Sequence, residues 1–319
     1  MTFQLWQALS KTSARRAGGT GPTSESLHAL LQIADSRQRW VSNRIPSINP
    51  AFAVAEVIWI VQGRSDIGFL SAWNSNIVNF LGHGAHTTGA YGPRLRSYNG
   101  IDQLERAYAV LRENPDSRQV VLQIWDPPRD LPHKDGTSTS IDIPCAVTSL
   151  LKISENTLEW TQILRSNDII MGLPYNIIQW SMLQEVLAGW LDVQPGNYTQ
   201  LSDSLHLYDR DRSLFEYGPS HDAHWTYDFR LKKDDSHKAF SALETFAENL
   251  LRSESPLDVS VELGAVSELP AAYFALASTL ASERVRRLGS ISAAVDLAYQ
   301  NTGGTLRNCL LSWLGRWNR

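Results

Sequence analysis

The 319-residue sequence holds only two cysteines, Cys145 and Cys309. Two thiols cannot build a disulfide framework or a four-thiolate zinc site, which points to a reducing, cytoplasmic setting. Long apolar runs are also missing. The longest, FAVAEVIWIV at 52–61, is about half the roughly 20 residues a membrane span needs and is interrupted by Glu56. There is no dense Lys/Arg block, and with a net charge of −4 nucleic-acid binding driven by electrostatics has little support, so small ligands are favoured. The first nineteen residues contain no acidic side chain, and their apolar core is too short for a secretory signal, so an ordinary N-terminal helix is expected there. No repeat or low-complexity tract interrupts the chain.

What the sequence does hold is enough apolar material, 43% of residues, for one large domain or a domain with an appendage. After the Gly-rich turn at 18–24, LHALLQIAD reads as a strand, and Asn49-Pro50 precedes a helix over about 52–63. A helix is predicted over 101–113, then strands at 118–126, from Cys145 onward, at 158–166 and at 197–209. The longest helix starts behind Pro174, where proline suits the first turn. From about residue 236 the character becomes wholly helical. The result is an α/β (α+β) body with a helical C-terminal region.

Cys145 stands directly after Pro144 in IDIPCAVTSLL, 141–151. A lone cysteine in such a run is ordinarily a small buried hydrophobe. The stretch RSNDIIMGLPYNI, 165–177, argues for more, because Arg165, Ser166, Asn167, Asp168 and Asn176 gather around a Gly172-Leu173-Pro174 turn. So many hydrogen-bonding groups are costly to bury unless a polar ligand satisfies them. In SDSLHLYD, 202–209, His206 and Tyr208 alternate onto one strand face, where both can donate to a sugar hydroxyl. In DSRQ, 116–119, Arg118 follows a turn and carries a planar fork suited to phosphate.

Taken in order, Glu56-Val57-Ile58-Trp59, Tyr91-Gly92-Pro93-Arg94, DSRQ, Pro144-Cys145, RSNDIIMGLPYNI and His206-Leu207-Tyr208 resemble the thymidylate synthase/deoxycytidylate hydroxymethylase family over about residues 15–210. The RSND and GLPYNI block is the most specific part. The resemblance implies that family's fold, a large mixed sheet flanked by helices, with a catalytic domain over 1–235 and a helical region over 236–319 packed on it. It also implies a homodimer acting on a pyrimidine nucleotide monophosphate, with the folate 5,10-methylenetetrahydrofolate as co-substrate.

Residue by residue, the resemblance makes Cys145 the nucleophile that adds to C6 of the pyrimidine, a task suited to a thiolate that is both reactive and a good leaving group. Glu56 would organise water for proton transfers, with Tyr91 in the same catalytic set. Arg165 and Ser166 would hold the phosphate, Arg118 would reach it from the partner subunit, and Arg16 is a further phosphate candidate. His206 and Tyr208 would hold the 3′ hydroxyl. Asp168 would meet the pterin, with Gly172 beside it. Asn176 would read the base: its amide can donate to uracil O4 and accept from N3–H. Family members acting on cytosine typically carry aspartate there, so dUMP or UMP is favoured over dCMP or CMP.

The departures from the family point to the product. Ala146 replaces the histidine after Pro-Cys, Gln119 replaces a second arginine, and Leu164 replaces a glutamine. Val78 and Leu81 fall where synthases carry two tryptophans that shield the exocyclic methylene intermediate. The stretch LLSWLGRWNR lacks the family's apolar tail ending in valine. Both features normally exclude water, and without them water adds to the intermediate and leaves a hydroxymethyl group. A reductive thymidylate synthase is the nearest alternative. A non-catalytic descendant that binds nucleotide or RNA suits the losses at Ala146 and Gln119, but the retention of Cys145, Glu56, Asp168 and Asn176 opposes it.

Overall fold

The computed structural model describes residues 14–18, 21–41, 44–214, 216–217 and 227–317; the side chains of 14–18, 213 and 216–217 lie outside that description. A seven-stranded sheet is formed by β1 (Ala14–Gly18), β2 (Gly21–Ile33), β4 (Val121–Gln123), β5 (Ala146–Ser154), β6 (Thr157–Leu164), β7 (Asn167–Asp168) and β8 (Gln194–Tyr208). The main path runs β1-β2-β8-β6-β5-β4, with β7 pairing to β8. A separate pair joins β3 (Arg44–Ile45) to β9 (Glu216–Tyr217).

Along the main path every neighbouring pair is antiparallel except β6 and β8, which makes the sheet mixed. A parallel pair needs a long crossover. Helix α7 (Leu173–Leu191) supplies it; the shorter helices before it are α1 (Pro50–Val61), α2 (Ile67–Trp73), α3 (Val78–Leu81), α4 (Tyr91–Arg96), α5 (Gln103–Glu113) and α6 (Pro127–Asp130). In the buried face of α7, Gln184 Nε2 donates to Leu158 O of β6 at 2.7 Å and to Gly196 O of β8 at 3.2 Å, which locks the crossover to both parallel strands.

Helix α1 is capped by Asn49, whose Oδ1 accepts from Phe52 N at 3.1 Å, and Pro50 occupies its first turn, where no N–H is missed. All its residues except Glu56 are buried. Such an all-round apolar helix belongs in a core, and each large side chain it buries contributes roughly 1.5–3 kcal/mol. One flank of α1 packs on α7. The other is covered by α8 (Lys233–Arg252), α10 (Ala271–Arg287) and α12 (Gly304–Leu314); α9 (Pro256–Ala265) and α11 (Ile291–Asn301) pack on α10 from outside. Arg287 of α10 donates to the carbonyls of Ala72 and Trp73 at the end of α2, where a helix C-terminus favours a cation.

The helix expected at the N-terminus is corrected over 14–18: this segment is β1, whose backbone groups are satisfied by pairing with β2. Residues 1–13 lie outside the described residues. The strand expected over 118–126 shortens to Val121–Gln123, and the helical region begins at Lys233 rather than 236. Among the described residues no helix is long and apolar enough to cross a membrane.

Candidate active site

Because β6 and β8 run parallel, their carboxyl ends reach the same edge of the sheet, where ligands of α/β folds collect. Arg165, Ser166, Asn167 and Asp168 follow β6, His206 and Tyr208 end β8, and the first turn of α7 opens beside them. Cys145 precedes β5, the neighbour of β6, and its carbonyl accepts from Arg165 N at 2.9 Å.

The Arg165 guanidinium wraps the chain just before the thiol, donating from Nε to Pro144 O and from Nη2 to Ile143 O, each at 2.9 Å, and stacks over Trp125 at 5.4 Å. Burial pushes the Cys145 thiol upward; Arg165 draws it down, while Asp142 and Asp168 push it further up. The net effect is a thiol held above its ordinary range, with Arg165 as the group that favours its thiolate.

Glu56 faces this edge from the middle of α1. Burial pushes its carboxyl up to about 8, and a hydrogen bond from the Gln179 side chain pulls the other way. Glu56 Oε2 and Gln179 Oε1 are both shut from solvent with no partner among the described residues, a pairing that water or substrate would complete. Tyr91 lies against the same group of side chains. Its ring packs at 5.3 Å on Trp180, its hydroxyl bonds to the Ala146 backbone, and it senses the charges of Cys145, Asp142 and Glu56. Gly92 delivers it: a Cβ there would stand 2.7 Å from Arg64 O and 2.9 Å from Trp59 O, so only glycine lets α4 sit against the end of α1.

The amide of Asn176 is oriented by a buried chain. Asn167 Nδ2 donates to Ser202 Oγ at 3.2 Å, leaving Asn167 Oδ1 to accept from Asn176 Nδ2 at 3.1 Å. Asp168 turns the chain into α7 by accepting at Oδ1 from Ile170 N at 2.7 Å and Met171 N at 3.0 Å, and Gly172 N donates to Asp168 O at 3.0 Å. Arg44 of β3 approaches Asp168 and Tyr175, and its Nε is buried without a partner among the described residues. Arg44, Asn167 and Gln179 were not singled out from the sequence as separate contributors. Only Asn167 carried a signal, its place inside RSND.

His206 and Tyr208 share the half-buried face of β8, with ring centroids 5.2 Å apart and nearly perpendicular planes. Ser166 is half-buried in the turn after β6. The side chain of Arg16 lies outside the described residues. Arg118 is exposed and lies elsewhere: Leu151 N donates to Val120 O, so Arg118 sits beyond the level of Leu151, about 20 Å along β5 from Cys145. An arginine cannot span that distance within one chain.

Val78 and Leu81 lie half-buried in α3, and Ala146 is fully buried as the first residue of β5. The segment Gly315–Trp317 forms an aromatic and cationic cluster with Trp313 and Arg286. Trp313 and Trp317 have centroids 4.6 Å apart, Arg286 stacks on Trp317 at 3.8 Å, and Arg316 is near enough to Arg44 for the two charges to repel.

The chain is 36% identical over 203 residues to a deoxyuridylate hydroxymethyltransferase of Bacillus phage SP01, covering 60% of this chain and 51% of the relative. It is 33% identical over 163 residues to a deoxyuridylate hydroxymethyltransferase of Pseudomonas phage M6, covering 50% and 45%. It is 25% identical over 210 residues to the thymidylate synthase of Francisella philomiragia, covering 61% and 74%. The chain thus spans about half the length of the two phage relatives it matches. The thymidylate synthase family profile matches residues 41–246, which contain Glu56, Cys145, Arg165, Asn176 and His206, and the chain belongs to the thymidylate synthase family.

Proposed function

We propose that this protein is a pyrimidine nucleotide 5′-monophosphate C5 hydroxymethyltransferase using 5,10-methylenetetrahydrofolate, with a uracil nucleotide as substrate. The observation that carries this reading is that Tyr91 lies within electrostatic reach of both Cys145 and Glu56, while the amide of Asn176 is oriented by Asn167, which follows β6. The names of the two phage relatives support the same product.

In this reading Cys145 adds to C6 of the base, which makes C5 nucleophilic, and leaves again when the product forms. Glu56, protonated below about 8, holds the proton and the water needed near the base. Asn176 keeps one N–H and its Oδ1 for uracil O4 and N3–H, because its other N–H is committed to Asn167. Arg165 and Ser166 take the phosphate, joined by Arg118 of a second copy and by Arg16; His206 and Tyr208 hold the 3′ hydroxyl. Asp168 and Gly172 would hold the folate, near Arg44, whose buried Nε has no partner among the described residues. When bound, the folate supplies a one-carbon unit at the formaldehyde oxidation level. The catalytic domain precedes the helical region that begins at Lys233, and α8, α10 and α12 of that region buttress α1.

The second reading, reductive methylation of dUMP, is favoured by the similarity that extends over 74% of the Francisella synthase. The test is the mass of the product from dUMP, UMP, dCMP and CMP with methylenetetrahydrofolate, with Cys145→Ser as control. The expected result is a uracil nucleotide heavier by one formaldehyde unit, with tetrahydrofolate released and no product from the variant. A gain of one methylene with release of dihydrofolate establishes the synthase instead. No product from any of the four sinks the enzymatic reading.

A further inference from the structure

A carboxylate three residues before the nucleophile has no role in the reading so far. Asp142 is half-buried and is held to the segment that follows α3: Thr87 Oγ1 donates to its Oδ2, and Gly89 N–H bonds to the same carboxylate. The approach is so close that a Cβ on Gly89 would lie 2.5 Å from Oδ2, so the sequence at 89 is constrained by this carboxylate. Neighbouring pairs reinforce the join: Thr88 and Ser140 share a hydrogen bond of 2.9 Å, and a Cβ on Gly82, next to Leu81, would stand 3.1 Å from Ile141 Cγ2.

Among the described residues no cation pairs with Asp142. The nearest, Arg94, is committed to Asp130 by Nη1 and Nη2, to Ile124 O at 2.7 Å and to Thr88 O at 2.8 Å. Burial pushes the Asp142 carboxyl upward, and its charge works against ionisation of Cys145 and Tyr91. A carboxylate placed where it disfavours the nucleophile's active form is a cost, and a fold that holds it there with a threonine and a glycine needs a compensating use.

We propose that Asp142 is the general base for the water that adds to the exocyclic methylene, and so a determinant of the hydroxymethyl product. The assignment rests on the function proposed above. The water oxygen forms a bond to the methylene carbon, one water proton passes to the Asp142 carboxylate, and the π pair shifts through C5 onto the C4 oxygen. Collapse of that enolate then restores the C5–C6 double bond and expels the Cys145 thiolate. No oxidant or reductant is consumed. A carboxyl whose affinity for protons is raised above the ordinary range is a better base for this step than a solvated one.

The test separates the steps before and after the methylene forms. Single-turnover tritium release from [5-³H]dUMP with methylenetetrahydrofolate reports addition and C5 attack; hydroxymethyl nucleotide reports the quench. Asp142→Asn keeps an acceptor for Thr87, and its tritium burst is expected within about 2-fold of wild type while hydroxymethyl product falls about 100-fold. Added 2-mercaptoethanol should then capture the stalled methylene as a thioether. Asp142→Glu should recover part of the product rate, and Thr87→Val, which keeps the carboxylate, should lose much less than Asp142→Asn. If Asp142→Asn does not fold, Asp142→Ser carries the same expectation. Wild-type product rates in a variant without the carboxylate, or loss of the burst together with the product in a folded variant, overturn the assignment. A wild type that releases no tritium, or releases it and makes a methyl product, removes the function itself and this role with it.

Discussion

Around Cys145 the polar groups are tied to backbone or to one another: Arg165 to the carbonyls of Ile143 and Pro144, Asn176 to Asn167, Asn167 to Ser202, and Asp168 to two amides of its own turn. The wall formed by residues 74–90 is different. It consists of a four-residue helix and connecting chain, fastened through Thr87 and Thr88 to Asp142 and Ser140. The first wall is suited to fixing where atoms of a nucleotide sit, because its donors and acceptors have little freedom left. The second, with Val78 and Leu81 in place of large aromatics, is suited to deciding what else enters. In the proposed reaction, bond formation at C5 and the choice of product would reside on separate pieces of chain.

The largest expected break in this comparison comes from the first wall. Glu56→Gln should lower single-turnover tritium release about 100-fold, and the same change should stabilise the fold at pH 8. The sign follows from the raised carboxyl: between its ordinary value near 4.5 and about 8 the unfolded chain has released the proton that the folded chain keeps, so stability falls as pH rises through that window. Removing the group relieves roughly 2–4 kcal/mol at pH 8 and nothing below pH 4. Urea melts of both proteins at the two pH values measure it, and a difference independent of pH contradicts the burial argument.

Asn176→Asp should act on selectivity more than on rate, moving the dCMP-to-dUMP ratio of kcat/KM by about 10–100-fold toward cytosine. Competition between the two nucleotides in one reaction reads this directly, and an unchanged ratio removes the base-reading role. The smallest effect is expected on the second wall. Val78→Trp with Leu81→Trp should lower the hydroxymethyl-to-methyl ratio by about 2–5-fold, since bulk excludes water without supplying a complete hydride path. An unaltered product ratio would mean that the wall does not control water.

The first wall was largely legible in the sequence. RSNDIIMGLPYNI compresses Arg165, Asp168 and Asn176 into thirteen residues, and the helix behind Pro174 and the strand ending at Tyr208 lie where apolar periodicity put them. Contributions from distant segments were not legible. Arg44 belongs to a different strand pair, Gln179 reads as one more position in a buried helix, and Asp142 looks like an ordinary loop acid until the fold lays residues 87–89 over it. The N-terminal segment also misled, since pairing with β2 decides its 14–18 conformation more than local propensity does.

Local spacing and apolar periodicity determined where the helix behind Pro174 and the strand ending at Tyr208 lie, and short motifs carried the resemblance that implies roles for Cys145 and Asn176, because these signals sit in residues close in sequence. Tertiary structure alone decided the rest. Burial raises the proton affinity of Glu56 and Cys145, pairing along β5 carries Arg118 far from Cys145, and contact between 87–89 and 142 fixes a carboxylate whose charge opposes ionisation of the thiol. Proton affinity and reach depend on what surrounds a group in space, and no stretch of sequence contains its own surroundings.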